Sequence, residues 1–225
     1  MPDLNDTSLI TFHNWTLRVR ASTHPSPRLL LLIHGFTGDE NSMWVFARDL
    51  PDTYWIVAPR APHAAQSGYS WRPPELESLN QFSLDQLRSA AEAVIRLVDE
   101  YAASAGLDAQ TFDVMGFSQG AAMSSLLAFL YPERIRKVGI LAGFVPGGLE
   151  ELIPRRPLAG KPFFVVHGTK DQMVPIERAR ASVEILEQAG AQVTYCEDEV
   201  GHKVSVTCLR SLKQFFADTR SSPVD

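Results

Sequence analysis

The sequence lacks three features that would assign it to particular classes of protein. It has only two cysteines, Cys196 and Cys208, and no C-x-x-C pair or Cys/His cluster, so neither a disulfide framework nor a metal site is predicted. Both cysteines are expected to be buried thiols in a reducing cytosol. No apolar run approaches the roughly 18 residues that span a bilayer, so stable membrane insertion is not expected.

Runs of basic residues are also lacking. The formal net charge is −5, which argues against nucleic acid as a partner. The acidic and polar N-terminal residues do not resemble a signal peptide, and a cytoplasmic location is expected. The 225 residues, 45% of them hydrophobic, suit one domain. We predict a domain over residues 1–218 and a flexible C-terminal tail over 219–225.

Short apolar runs alternate along the chain with stretches of helical periodicity. This pattern predicts an α/β fold with a mostly parallel sheet and helices on both faces. An edge hairpin is expected over 9–21, and buried strands over 29–33, 54–58, 111–115, 138–142, 163–166 and 192–196. Helices are expected over 40–50, 83–104, 121–131, 176–189 and 205–217. The segment 59–79 is predicted to be a long irregular loop of functional importance.

One strand-to-helix junction carries the sequence G-F-S-Q-G, from Gly116 to Gly120. A G-x-S-x-G between a strand and a helix is typical of a nucleophile elbow, in which the serine hydroxyl is exposed at the end of the strand. Glycines suit the outer positions because side chains there would collide within so tight a turn. Ser118 is therefore the predicted nucleophile.

A serine nucleophile needs a base and an orienting acid, and the chain order in this kind of site is Ser, acid, His. Among six histidines, His202 follows the last predicted strand and leaves room for an acid before it. Asp171 directly follows the preceding strand and is the preferred acid. The alternatives Glu197, Asp198 and Glu199 form an acidic run that is more typical of a solvated turn.

Stabilisation of an oxyanion requires backbone N–H donors aimed at the developing charge. The N–H of Gln119, the residue after the nucleophile, is one predicted donor. The second is expected from the turn after the strand 29–33, with Phe36 preferred and Thr37 left open.

Six motifs in order resemble the phospholipase/carboxylesterase family of α/β-hydrolases, which includes bacterial carboxylesterases and acyl-protein thioesterases. They are L-I-H-G-F-T-G-D-E, A-P-R-A-P, G-Y-S-W, G-F-S-Q-G-A-A-M, H-G-T-K-D-Q-M-V-P and V-G-H. The resemblance implies a single-domain hydrolase without a separate cap domain or a cofactor. It also implies a triad of Ser118, Asp171 and His202. The turn H-G-F-T-G-D is one residue longer than the H-G-L-G-D often found in the family.

The predicted function is that of a carboxylesterase-type serine hydrolase, which cleaves small-molecule esters or thioesters through a covalent acyl-enzyme. Trp71, Phe117, Phe144 and Met173 are candidates for the substrate pocket, and each could instead be a packing residue. Peptide, lactone or carbon–carbon bond hydrolysis is an alternative, as is a binding protein without catalysis. A monomer and a homodimer are both compatible with the sequence.

Overall fold

A computed structural model describes residues 4–74 and 83–218. Its centre is an eight-stranded sheet in the order β1-β2-β4-β3-β7-β8-β9-β10, beside a two-stranded hairpin formed by β5 and β6. The strands are β1 Ser8–Phe12, β2 Trp15–Arg20, β3 Arg28–Ile33, β4 Tyr54–Pro59, β5 His63–Ala65, β6 Gly68–Ser70, β7 Phe112–Phe117, β8 Ile135–Leu141, β9 Pro162–Gly168 and β10 Gln192–Asp198.

The pairing directions confirm the predicted mostly parallel sheet. Strands β4, β3, β7, β8, β9 and β10 run parallel to one another. The N-terminal hairpin of β1 and β2 adds to β4 in antiparallel fashion and forms one edge. Both faces of these parallel strands are covered by helices, so neither face needs polar side chains. This is why the strands appear in the sequence as continuous apolar runs.

Helices cover both faces of this sheet, as predicted. They are α1 Trp44–Ala47, α2 Leu84–Ala105, α3 Gln119–Leu130, α4 Ile176–Gln188 and α5 Val206–Ala217. The larger core cluster includes Leu87 of α2, Leu126 of α3 and Leu186 of α4. Trp44 of α1 and Leu212 of α5 belong to a second cluster, formed with the other sheet face.

The first predicted helix, over 40–50, is wrong in extent, because only Trp44–Ala47 is helical. Asp39 explains the late start. Its carboxylate accepts the Asn41 N–H and the Ser42 hydroxyl, each at 2.9 Å. Such local side-chain bonds compete with helical ones and favour a turn.

The predicted irregular loop contains the β5–β6 hairpin and, in its described part, is not irregular throughout. Residues 75–79 of that loop and the predicted tail 219–225 lie outside the described residues.

The expectation of two free thiols is wrong, since Cys196 and Cys208 form a disulfide. Cys196 lies in β10 and Cys208 in the first turn of α5, and the connection between these elements folds back on itself. The two Cα atoms are 5.8 Å apart, which is in the usual range for a disulfide. The sequence separation of 12 residues does not reveal this fold-back.

Candidate active site

The site forms where the strand order of the sheet reverses. From β3 the chain continues to β4 on one side, whereas β7 and the later strands lie on the other side. Ligands bind at such a switch point, outside the carboxyl ends of the strands. Ser118 directly follows β7 there, with φ of 54°. A positive φ is uncommon outside glycine, and such strain clusters at functional sites.

The elbow glycines are required by close backbone contacts. A Cβ on Gly116 would lie 2.1 Å from Gly120 O, and one on Gly120 would lie 2.0 Å from Ile33 O. Helix α3 can therefore approach β3 and β7 only because these positions lack side chains. The same holds on the far side of α3, where a Cβ on Gly143 would lie 2.3 Å from the Ala121 Cβ.

Asp171 and His202 are hydrogen-bonded to each other. His202 Nδ1 lies 2.7 Å from Asp171 Oδ2. The other carboxylate oxygen, Oδ1, accepts the N–H groups of Met173 at 2.8 Å and Val174 at 3.0 Å. The Asp171 side chain is fully buried, so these bonds fix its orientation. A carboxylate opposite Nδ1 places the imidazole proton on that atom and leaves Nε2 available as a base.

The three alternative acids are engaged elsewhere. Glu197 forms a bidentate ion pair with Arg180, at 2.8 and 2.9 Å, and this bonding is the main reason that the pKa of Glu197 is lowered to about 2. Glu199 pairs with Lys170 at 2.9 Å. Asp198 Oδ1 accepts the N–H of the next residue at 2.8 Å.

A buried histidine of the preceding strand also contacts the acid. His167 Nε2 lies 2.8 Å from Val174 O and 3.4 Å from Asp171 Oδ2. The bond between His167 Nε2 and Val174 O lets this histidine brace the turn after β9. Its closeness to Asp171 was missed, because the spacing within H-G-T-K-D does not show how the turn closes.

The two candidate oxyanion donors after β3 differ in their hydrogen bonding. The Thr37 N–H donates to Tyr69 O at 3.0 Å and is therefore occupied. The Phe36 and Gln119 amides have no acceptor among residues 4–74 and 83–218. Gln119 begins α3, where the first N–H groups have no intrahelical partner.

The loop after β3 is held by the buried polar side chains of His34 and Glu40. His34 Nδ1 bonds Gly35 O at 2.7 Å, and its Nε2 accepts the Ala61 N–H at 3.0 Å. Burial lowers the His34 pKa, which fits this neutral ring. Glu40 binds Arg60 at 2.7 and 2.9 Å. Burial alone would raise the Glu40 pKa, but the bonds to Arg60 lower it overall. The arginine of the A-P-R-A-P motif, which is Arg60, was an available sign of this ion pair in the sequence.

Ser118 and His202 line one cleft with a volume of about 410 Å³. Among the described residues that line it there is no Lys, Arg, Asp or Glu, and its walls are mostly apolar. The apolar side chains are those of Phe36, Met43, Val45, Phe46, Phe117 and Met173. The ring of Phe117 stacks on Phe46 at 5.9 Å and contacts His202 at 5.0 Å between ring centroids.

Two of the four candidate pocket residues, Phe117 and Met173, belong to this lining, whereas Trp71 and Phe144 do not. Trp71 is fully buried, and its indole donates to His34 O at 2.9 Å. Phe144 is buried under the guanidinium of Arg178, 3.6 Å from its ring centroid. Val45 and Phe46 were missed as cleft residues because sequence analysis placed their segment inside a helix facing the core.

Two features are absent from residues 4–74 and 83–218. These residues contain no cluster of three or more His, Cys, Asp or Glu side chains arranged to hold a metal ion. Within the same ranges, no helix has the length and apolar character to cross a bilayer.

The fold and the site together define an α/β-hydrolase. A carboxylesterase from Mesorhizobium loti superimposes with a TM-score of 0.81 at 24% identity, covering 94% of this chain and 99% of that one. The Phospholipase/Carboxylesterase family profile matches residues 14–220, and the chain belongs to that family. The predicted family and the predicted class of enzyme, a carboxylesterase-type hydrolase, are thereby confirmed.

Relatives within the family carry different descriptions. Acyl-protein thioesterase 1 of Debaryomyces hansenii is 26% identical over 196 residues, which cover 77% of this chain and 82% of the relative. A probable inactive carboxylesterase of Oryza sativa is 25% identical, with 81% of each chain covered. Members of this family thus differ in whether they are described as active, and activity depends on the residues of the site.

Proposed function

We propose that the protein is a serine esterase that cleaves carboxylic esters with an apolar, uncharged group, by way of a covalent acyl-enzyme at Ser118. The observation that carries the proposal is the 2.7 Å bond between His202 Nδ1 and Asp171 Oδ2, with Ser118 and His202 on one cleft. The apolar lining of that cleft supports the choice of substrate, because it offers a charged group no partner.

The proposed steps follow from these groups. Ser118 Oγ attacks the ester carbonyl while His202 Nε2 takes its proton, and Asp171 stabilises the imidazolium. The Phe36 and Gln119 amides bind the oxyanion. His202 then protonates the leaving alcohol, and the acyl–Ser118 ester remains. Water attacks this ester with His202 again as base, which releases the acid and restores Ser118.

The proposal is tested by labelling with a fluorophosphonate and mapping the modified peptide. We expect one adduct, at Ser118, and hydrolysis of p-nitrophenyl esters. Ser118→Ala should lose the label and on the order of 10⁴–10⁶ in kcat. Ser125→Ala is the matched control. This serine is buried in α3, where its hydroxyl donates to Ala121 O at 3.1 Å, and its replacement should leave both signals.

Labelling at another residue, or esterase activity that survives in Ser118→Ala, would contradict the proposal. Thioester, lactone and amide substrates in the same assay separate the alternative reactions. If Ser118 is not labelled and no substrate turns over, a binding role without catalysis is favoured instead.

A cytoplasmic location remains a prediction, and the Cys196–Cys208 disulfide weighs against it. Disulfides persist mainly in oxidising compartments. Alkylation of free thiols at the moment of cell lysis, followed by mass spectrometry, reports which state these cysteines have in the cell.

A further inference from the structure

The side chain of Gln119 is buried and uses both ends of its amide group. It is 2% exposed, its Oε1 accepts the Trp71 N–H at 2.9 Å, and its Nε2 donates to Ser70 Oγ at 3.1 Å. Ser70 Oγ also accepts the Arg72 N–H at 3.1 Å. The residue that begins α3 thus holds the stretch from the end of β6 to Arg72, which is remote in the sequence.

That stretch and the adjoining Tyr69 are in turn bonded to the loop after β3. Tyr69 O accepts the Thr37 N–H, and the Tyr69 N–H donates to Gly38 O, each at 3.0 Å. The Trp71 indole donates to His34 O at 2.9 Å. These bonds lie on both sides of residue 36, whose amide is the second proposed oxyanion donor.

The approach of β6 to this loop is close enough to require a glycine. A Cβ on Gly68 would lie 2.0 Å from Thr37 O, so a side chain at position 68 would displace one segment or the other. The main sheet does not set the distance between the two proposed donors. The pairing of β3 with β7 ends at Ile33 and Gly116, before either donor.

We propose that the Gln119 side chain is a positioning group that sets the distance between the two oxyanion donors. Gln119 supplies one N–H from its backbone. Its carboxamide, acting through Ser70 and Trp71, holds the loop that presents the other N–H, that of Phe36. This inference rests on the proposed function, since it assigns a role within the same site.

The expected effect is large because oxyanion stabilisation depends on donors that are already in place. Removing one donor typically costs about 10²–10³ in kcat, and a misplacement of about 1 Å can cost about 10². Loss of the Gln119 carboxamide leaves both N–H donors present but no longer fixes the distance between them. A reduction of about 10–100-fold in kcat is therefore expected.

The first test is Gln119→Met, which keeps the length of the side chain and the backbone N–H but removes both side-chain bonds. We expect kcat for a p-nitrophenyl ester to fall by about 10–100-fold with KM changed by less than about threefold. Affinity for an apolar trifluoromethyl ketone, which forms an oxyanion when Ser118 adds to it, should fall by the same factor as kcat. Affinity for the matching methyl ketone, which stays trigonal, should not change.

A second variant removes another bond that holds the loop after β3. Trp71→Phe removes the indole donor to His34 O together with part of a buried ring, and it should give the same pattern at about 3–10-fold. Trp55→Phe is the matched control, because the Trp55 indole donates to Tyr101 Oη at 3.2 Å and not to the loop after β3. This control should have the wild-type kcat, KM and affinity for both ketones.

A folded Gln119→Met variant with unchanged affinity for the trifluoromethyl ketone, or with a loss confined to KM, would overturn the inference. If Gln119→Met does not fold, Trp71→Phe decides by the same criterion. Failure of the proposed function has a different signature, namely a wild-type enzyme that neither hydrolyses esters nor is labelled at Ser118.

Discussion

Single residues of the site are placed by contacts that leave little freedom. Gly116 and Gly120 cannot carry a Cβ without displacing backbone atoms, and the Asp171 side chain is buried with both of its oxygens hydrogen-bonded. Steric exclusion fixes the turn at Ser118, and hydrogen bonding fixes Asp171 and with it His202. Ser118 and His202 both line the cleft.

His34 should make stability depend on pH. Burial lowers its pKa from 6.5, so below about pH 6.5 the unfolded chain binds a proton that the folded chain does not. The free energy of unfolding therefore falls as the pH is lowered from 6.5 toward the pKa of folded His34. Urea unfolding between pH 5 and 7 should show this slope, and His34→Gln should make it shallower.

The control for this experiment is His24→Gln, because His24 is exposed. Its slope should equal that of the wild type. An unchanged slope in His34→Gln would show that His34 does not titrate differently in the folded and unfolded chains.

At the scale of elements, the disulfide joins the two segments that flank His202. Cys196 lies in β10 and Cys208 in α5, at a sequence separation of 12 residues. The closed loop thus includes His202. Cross-linking a loop of this size lowers the entropy of the unfolded chain and is worth about 3 kcal/mol.

We expect the double variant Cys196→Ser/Cys208→Ser to lose about 2–3 kcal/mol in the free energy of unfolding. Its kcat should also fall, because the loop that carries His202 is less restrained. Dithiothreitol should produce both changes in the wild type and neither in the variant. Equal stability of oxidised and reduced wild type would contradict this expectation.

The cleft is a property of the whole molecule, because its walls come from the loop after β3, helix α1, the elbow and the turn after β9. Two of its apolar side chains are largely exposed at the rim, Val45 at 45% and Met173 at 72%. Exposed apolar groups beside Ser118 favour contact with an apolar part of a substrate.

Met173→Glu should therefore discriminate between substrates. We expect kcat/KM for an octanoate ester to fall about tenfold, since about 1.5 kcal/mol of apolar contact is lost, while the acetate ester stays within about twofold. Stability should change by less than about 0.5 kcal/mol at so exposed a site. Leu9→Glu, at a 53% exposed residue of the edge strand β1, is the control and should alter neither rate.

The sequence alone predicted the chain order of the strands and helices and the tight turn at Ser118, and it is the source of the proposal that Asp171 and His202 act with that serine. These depend on local periodicity, on glycines in a tight turn and on chain order, all of which are visible in one dimension. The extent of α1 could not be predicted from its apolar spacing, because the side-chain bonds of Asp39 compete with the helix.

The tertiary structure was needed to choose between Phe36 and Thr37, because the Thr37 N–H is occupied by a bond to Tyr69 O. It also moved Trp71 from a candidate pocket wall to a buried brace, and it joined Cys196 to Cys208. Each of these results depends on contact between segments distant in the sequence. Such contacts are set by how strands and helices pack, and no local pattern encodes them.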